Sequence, residues 1–406
     1  MAVTDQLGVW FCGSDGSTWP VDDFLDLNVT GARYLDGAGS ITVPASSQIV
    51  SLFMGSTVGE EFAQSSLRVF YRDTATPLWS GIMAGAKLQS TGDEGVVEIL
   101  FEQVAGHALR RRLLTKTSQA SEAITAGSIN ADNIALFLMR DAMGPTPTEP
   151  TGYPAAADRD DFGVFTIEVA AAHSPAESSS QPALEEQSGA NLLDLIPEFC
   201  EQEDLALELT DNQDLTYDID VGYPYEAEDV SADVIFSAWL GTLVDFEADV
   251  DIKSLANVWS VEGATSASHT YLDNSAGIAA WGVYEAHAQK PQAANNTNDL
   301  ASASGYLADR YGTGTLTYRA TLVEASGTMF NVDWNQRSKI RVVDPVYGYD
   351  FDQVCVEWEL AASNGDHPEL SFVFGTPSLN WDKNVAGYVG APGPRFGGGR
   401  WRNKRQ

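Results

Sequence analysis

Apolar residues in this chain alternate with polar ones far more often than they recur at helical spacing, so most of it reads as β-strand. Up to about residue 114 the runs are short: Val9-Trp10-Phe11, the segment 34–43, and Leu67-Arg68-Val69-Phe70-Tyr71, with Gly, Asp and Ser between them. The stretch 78–114 is the most informative. Leu78-Trp79-Ser80-Gly81-Ile82-Met83 brackets a small pair with apolar residues, and a second strand follows. The polar turn 92–95 then reverses the chain into a third strand carrying Val96, Val97, Ile99, Leu100 and Phe101. Leu109-Arg110-Arg111-Arg112-Leu113-Leu114 closes it. Such meanders build many β-barrels, and a related stretch recurs at 340–375.

Helical spacing takes over after residue 129. Asn130 is a candidate N-cap, Ile134, Phe137, Leu138 and Asp141 follow at helical intervals, and Gly144-Pro145 stops the helix. The segment 145–161 is Pro-rich and acidic without apolar periodicity, and 171–188 is of low complexity. Leu192, Leu195, Ile196 and Phe199 then share a helix face, but Pro197 predicts a kink there or a later start. Strands return at 205–209 and 215–221 as a hairpin opening a second barrel. Trp239, Leu240, Leu243 and Val244 form a third apolar stretch, and Val258 and Trp259 lie in another strand. Two short helices are expected at 275–282 and 299–311, after which alternation resumes at 316–322, 340–343, 354–358 and 370–375. No tandem repeat suggests a solenoid.

Length and charge narrow the picture. A chain of 406 residues, 44% of them apolar, is expected to form about two to four domains. No run approaches the roughly eighteen consecutive apolar residues of a membrane span, and Met1-Ala2-Val3-Thr4-Asp5-Gln6 lacks a signal pattern, so synthesis in a cytoplasm without membrane insertion is expected. Cys12, Cys200 and Cys355 are far apart and show no CxxC spacing, which predicts buried thiols, not disulfides or a thiolate metal site. The net charge of −34 argues against sequence-independent nucleic-acid binding, which needs Lys and Arg on phosphates. Against that background, Arg395, Phe396, Arg400, Trp401, Arg402, Lys404 and Arg405 make a cationic, aromatic arm suited to an acidic partner.

Chemistry is harder to find. With 57 Asp and Glu residues, any carboxylate pair is drawn from a large background. Asp333 beside Trp334, or Glu357 and Glu359 around Trp358, can be drawn as a glycosidase pair. Glu357 and Glu359, however, stand two apart on one strand, facing away from Trp358, as a solvated or interfacial face would. His107, His173, His269, His287 and His367 are scattered without metal-ligand spacing. Neither a GxSxG elbow nor a Walker A sequence occurs, and nothing calls for a cofactor. Trp281-Gly282 reads as local packing of a helix on a barrel. The chain is expected not to be an enzyme.

Three stretches together resemble a known family. They are Trp79-Ser80-Gly81-Ile82 through Leu114; Asn257-Val258-Trp259-Ser260-Val261-Glu262-Gly263 with Asp273, Ser275, Ile278, Trp281, Gly282 and Glu285; and Trp334 with Ile340-Arg341-Val342, Phe351-Asp352-Gln353-Val354 and the closing Phe374-Gly375. Their order is similar to that of bacteriophage tail-tip (baseplate hub) proteins, in particular the siphophage Gp37-like hub family. The resemblance implies a mostly β fold with α insertions (α+β). It divides the chain into a first hub β-barrel (1–115), a peripheral α/β domain (116–204), a second barrel (205–262 and 313–376) split by a helical insertion (263–312), and a basic C-terminal arm (377–406). It makes Trp79, Gly81, Trp281, Gly282, Glu285 and Gly375 structural motif residues. It further implies a homotrimeric ring in the virion's tail tip, made in the host cytoplasm. The ring's partners would be distal tail or tail tube proteins, tip or fibre proteins and the tape measure protein, with DNA passing an acidic lumen unbound. A distal tail ring or adaptor, and a tail-associated cell-wall hydrolase, stand as alternatives.

Overall fold

A computed structural model describes residues 7–13, 16–34, 37–50, 65–72, 75–91, 94–110, 129–143, 165–180, 191–251, 255–262, 269–289, 307, 311–312, 315–344, 348–363 and 367–375. The Pro-rich segment 145–161, the end of the basic-Leu run and the whole basic arm lie outside these residues. The chain forms two units, one of Met1–Val250 with Leu316–Pro377 and a second containing Asp251–Thr315.

The first unit is mostly β, as expected. Its leading part holds β1 (Leu7–Cys12), β2 (Thr18–Pro20), β3 (Asp26–Ala32), β4 (Ala38–Pro44), β5 (Ser66–Tyr71), β6 (Trp79–Thr91) and β7 (Glu94–Gln103). Helices α1 (Val104–Arg110) and α2 (Ala131–Met143), strand β8 (Thr166–Val169), helix α3 (Leu192–Gln202) and strands β9 (Ala206–Asp211) and β10 (Thr216–Gly222) follow. Then come β11 (Glu228–Asp229), β12 (Ile235–Ser237) and β13 (Leu243–Asp251). The second unit contributes β14 (Val258–Glu262), β15 (His269–Asp273), α4 (Ser275–Trp281) and β16 (Glu285–Gln289). The first unit resumes with β17 (Thr315–Leu322), β18 (Ser338–Asp344), β19 (Tyr349–Ser363) and β20 (Glu369–Gly375).

Fourteen strands join one sheet in the order β13-β17-β20-β19-β3-β4-β7-β6-β5-β1-β2, with β18 on β19 and β11 and β12 on β18. Alternation in sequence becomes alternation in burial: Leu27 and Val29 of β3, Ile41 and Val43 of β4, and Ile340 and Val342 of β18 all face inward. The strands expected in two separate barrels are therefore hydrogen-bonded across a seam, where β3 runs antiparallel to β19 with Gly31 opposite Trp358 and Val29 opposite Leu360. Both halves contribute to one core. At its centre Phe330, Trp334, Trp358 and Phe372 nest with ring centroids 4.8–5.8 Å apart.

Two glycines make room for tryptophans. A Cβ on Gly31 would lie 2.3 Å from the Trp358 ring, and one on Gly81 would lie 2.1 Å from that of Trp79. The small pair at Ser80-Gly81 is thus the seat of Trp79, which is fully buried and donates from Nε1 to the Thr30 carbonyl at 3.0 Å.

The helices cover a second, smaller sheet. β10 pairs parallel with β8 and antiparallel with β9. The hairpin expected at 205–221 does form, but it belongs to this small sheet and not to the large one. Ile134, Leu138 and Met139 of α2 and Leu192, Ile196 and Phe199 of α3 pack with Tyr217 and Ile219 in a core of their own. Helix α2 starts after Asn130, as predicted, with the Asn130 carbonyl accepting from Ile134 N at 2.9 Å. Helix α3 is capped by Asn191, whose Oδ1 accepts from Leu193 N at 2.8 Å, and it runs on through Pro197. Four buried side chains, Leu192, Ile196, Phe199 and Cys200, offset the missing Pro197 donor, so the later start does not occur. No described helix is long and apolar enough to cross a membrane.

In the second unit β14 is central, antiparallel to β15 and parallel to β16. The interlude expected to be helical is therefore a small sheet with one described helix, α4, capped by Asn274. The buried Asn257 ties it together, donating to the Gly282 carbonyl at 2.7 Å and accepting from Tyr284 N at 2.8 Å. Of the helix expected at 299–311 only Leu307 and Tyr311 are described, both helical and both buried.

Candidate assembly site

The two sheets of the first unit are joined by buried charge. Arg68 interrupts the apolar strand β5, and its guanidinium meets Asp211 at the end of β9: Nε to Oδ2 is 2.7 Å and Nη2 to Oδ1 is 2.9 Å. Their side chains are only 4% and 5% exposed. Ser80 Oγ donates to the same carboxylate at 2.7 Å and Gln213 N at 2.7 Å, while Arg68 Nη1 reaches the Gln213 carbonyl at 3.3 Å. Each lone pair and each N–H that is buried here is needed, because an unanswered charge in this setting costs several kcal/mol. The sequence carried half of this signal, an arginine inside an apolar run, but nothing in it named the partner.

Beside this lock lies a cleft of about 270 Å³ bordered by Arg33, Trp79, Asp211, Tyr225, Arg337 and Trp358. Arg33 stacks on the Tyr225 ring at 3.8 Å and pairs with Asp204 at 3.4 Å. Arg337 pairs with Glu208 and donates to the carbonyls of Tyr225 at 3.0 Å and Pro224 at 2.8 Å. These contacts tie strands together; they place no nucleophile beside a base. Among the described residues no group of three or more His, Cys, Asp or Glu is arranged to hold a metal ion.

A second polar tie holds the segment before α3 to the small sheet. His173 Nδ1 sits 3.0 Å from the buried Asp132 and its Nε2 3.0 Å from Asp220. Asn133 grips the His173 backbone on both sides, and Asp132 also accepts from Glu177 N at 2.7 Å. Burial works to lower the His173 pKa, but hydrogen bonds to Asp132 and Asp220 outweigh it and raise the value above its ordinary 6.5. A raised folded-state pKa contributes stability that is complete below 6.5 and is lost as pH climbs through the folded value. The melting temperature is therefore expected to fall on going from pH 6 to pH 8, and the fall is expected to shrink in His173→Gln. An unchanged pH profile in that variant would show the imidazole stays neutral.

The remaining sequence candidates are dispersed. Trp79 and Gly81 are core, and Gly375 closes β20 opposite Thr317. Glu285 is exposed on β16, and Gly282 ends α4 with φ +85°. Trp281 is 43% exposed, with Val283 and Tyr284 exposed beside it. Glu359 accepts from Asn28 Nδ2 at 2.5 Å, and Asp333 caps a turn by accepting from Met329 N at 2.8 Å. Asp333 and Glu359, two of the carboxylates that suggested a glycosidase pair, thus make structural contacts. Cys12, Cys200 and Cys355 are buried free thiols, as expected, and burial pushes all three pKa values up. Residues Arg395, Phe396, Arg400, Trp401, Arg402, Lys404 and Arg405 lie outside the described residues.

The apolar stretch at 239–244 is divided by the fold: Leu243 is buried, whereas Trp239, Leu240 and Val244 face solvent. After β12 the chain makes a single 3₁₀ turn, Ala238–Leu240, that leaves Trp239 79% and Leu240 65% exposed. Ser237 Oγ accepts from Trp239 N at 3.2 Å, Gly241 closes the turn at φ +71°, and Thr242 Oγ1 accepts from Ser237 N at 3.0 Å. Val323 N donates to the Thr242 carbonyl at 2.8 Å, which brings the exposed Val323 and Val244 alongside.

No protein-family model matches the sequence, and no curated protein matches it. The fold does have solved relatives. A tail protein from Neisseria meningitidis MC58 superposes with a TM-score of 0.59 at 11% identity, covering 94% of this chain and 99% of that one. The tail protein of prophage MuSo2 from Shewanella oneidensis gives 0.56 at 10% identity, covering 91% and 97%. Prophage tail protein gp18 from Listeria monocytogenes EGD-e gives 0.51 at 11% identity, covering 94% and 98%. The chain therefore shares its fold, almost end to end, with proteins of phage tails.

Proposed function

We propose that the chain is a structural subunit of a phage tail tip, a hub that acts by assembly and not by catalysis. The observation that carries this reading is likeness over nearly the full length of both chains to the Neisseria tail protein. In this reading the two ends of the large sheet curl into two tube-like bodies, with the unit containing Asp251–Thr315 as the insertion in the second. Three copies then form a ring with six similar positions, fitting a six-fold tail tube on one side and three-fold tip or fibre proteins on the other. Distal tail, tail tube and tape measure proteins are its neighbours in the virion. The net charge of −34 suits a lumen through which DNA slides, since phosphates meet repulsion there and not Lys or Arg. The basic arm, 395–405, serves as a docking element for an acidic surface.

Cryo-electron microscopy of the intact particle tests this through copy number and symmetry. Three copies around the tail axis are expected. Six copies would move the chain to a distal ring, and absence from any particle would overturn the reading.

A further inference from the structure

A tryptophan and a leucine held out to solvent by a rigid turn call for a cover. The turn is not loose: every backbone group from Ser237 to Thr242 named above is hydrogen-bonded, so Trp239 and Leu240 are presented without the entropy loss that a floppy loop suffers on docking. Exposed apolar side chains this concentrated mark contact surfaces, and tryptophan is prominent among residues that dominate binding.

The surroundings select the occupant. The knuckle leads straight into β13, which ends the strand order of the large sheet and has no second neighbour among the described residues. The exposed side chains of β13 include Asp245 and Glu247, next to the exposed Val244. The cover must therefore bring positive charge and apolar surface together. One segment of this chain has that chemistry: Arg395-Phe396 and Arg400-Trp401-Arg402, followed by Lys404 and Arg405, hold 5 of the protein's 23 Lys and Arg beside two aromatic residues. Residues 376–406 reach up to about 100 Å when extended, ample to leave one molecule and arrive on the next. Copies of net charge −34 repel each other, and this segment is where the counter-charge is concentrated.

We propose that the basic segment 395–405 of one copy docks on the Trp239–Leu240 knuckle and the acidic edge strand β13 of a neighbouring copy. The inference rests on the assembly reading above and supplies it with a head-to-tail contact, the kind that closes into a ring. Aromatic residues of the segment pack on Trp239, Leu240 and Val244, while its arginines face Asp245 and Glu247.

Sedimentation of the full chain over a range of concentrations tests it. Wild type is expected to self-associate reversibly, and less so as salt rises, because the charges are exposed. Trp239→Ser with Leu240→Ser is expected to weaken association about 30-fold or more, the scale of losing an aromatic anchor. Charge reversal at Arg395, Arg400 and Arg402 is expected to do the same. Each variant alone then stays monomeric, and an equimolar mixture regains pairs, because one supplies the segment and the other the knuckle. Asp245→Lys with Glu247→Lys checks the acidic edge without touching the turn. Association that persists unchanged in either variant would overturn this contact while leaving the tail-tip reading intact. Wild type that stays monomeric, or variants that fail to complement on mixing, would also overturn it, and copy number in the particle would still decide the assembly reading separately.

Discussion

Asp211→Ala is expected to destabilise the protein by about 3–5 kcal/mol, because it leaves the Arg68 guanidinium charged and buried with no carboxylate. Deleting the carboxylate also strips Ser80 Oγ and Gln213 N of their acceptor. Arg68→Ala is expected to cost a similar amount from the other side. The informative variant is the double replacement Arg68→Met with Asp211→Leu. Removing both charges removes the desolvation penalty with the attraction, so the double variant is expected to be less damaged than either single one. Urea midpoints at constant slope read this directly. A single variant within about 1 kcal/mol of wild type would mean that water reaches the pair.

Phe372→Ala is expected to cost about 3–5 kcal/mol by opening a cavity where the two parts of the large sheet share their core. Phe372 is fully buried on β20, with Trp334 at 4.8 Å and Phe330 at 5.1 Å between ring centroids. These neighbours come from the turn before β18 and are fixed by their own bonds, Trp334 Nε1 donating to the Thr328 carbonyl at 3.1 Å, so the site collapses poorly. Phe372→Leu, which keeps most of the volume, is expected to lose under about 2 kcal/mol. Equal losses for the two variants would show that ring stacking and not volume sets the cost.

The strands of the large sheet were legible because half-buried strands alternate, as Leu27, Val29, Ile41 and Val43 do. Their pairing was not legible. Asn28 bonds to Glu359 across 331 positions, and nothing local in either strand specifies the other. Strands β15, His-Thr-Tyr-Leu-Asp, and β16, Glu-Ala-His-Ala-Gln, were passed over because neither has a β-branched run; they are held by pairing with β14. Trp239-Leu240 was legible as apolar, but composition does not reveal which side of a turn faces water. Within the candidate site, Trp79 and Gly81 were picked out as a motif, and the structure shows the packing behind them: one needs the space that the other leaves. Arg68 was visible as an oddity, whereas Asp211, one carboxylate among 57 acidic residues, was not.

The β3–β19 seam also sets when this protein can fold. Until the ribosome has delivered β19, β3 is an unpaired edge beside β4, and its inward face lacks Trp358 and Leu360. The leading part therefore waits, with an open strand edge, for partners made late in synthesis, and such long-range closure is slow. A growing chain in this condition is prone to pair with its neighbours on the same messenger. Delivery of β19 thus acts as a checkpoint: only copies synthesised past it have β3 paired on both sides, while those terminated earlier present β3 as a sticky strand that favours aggregation or removal.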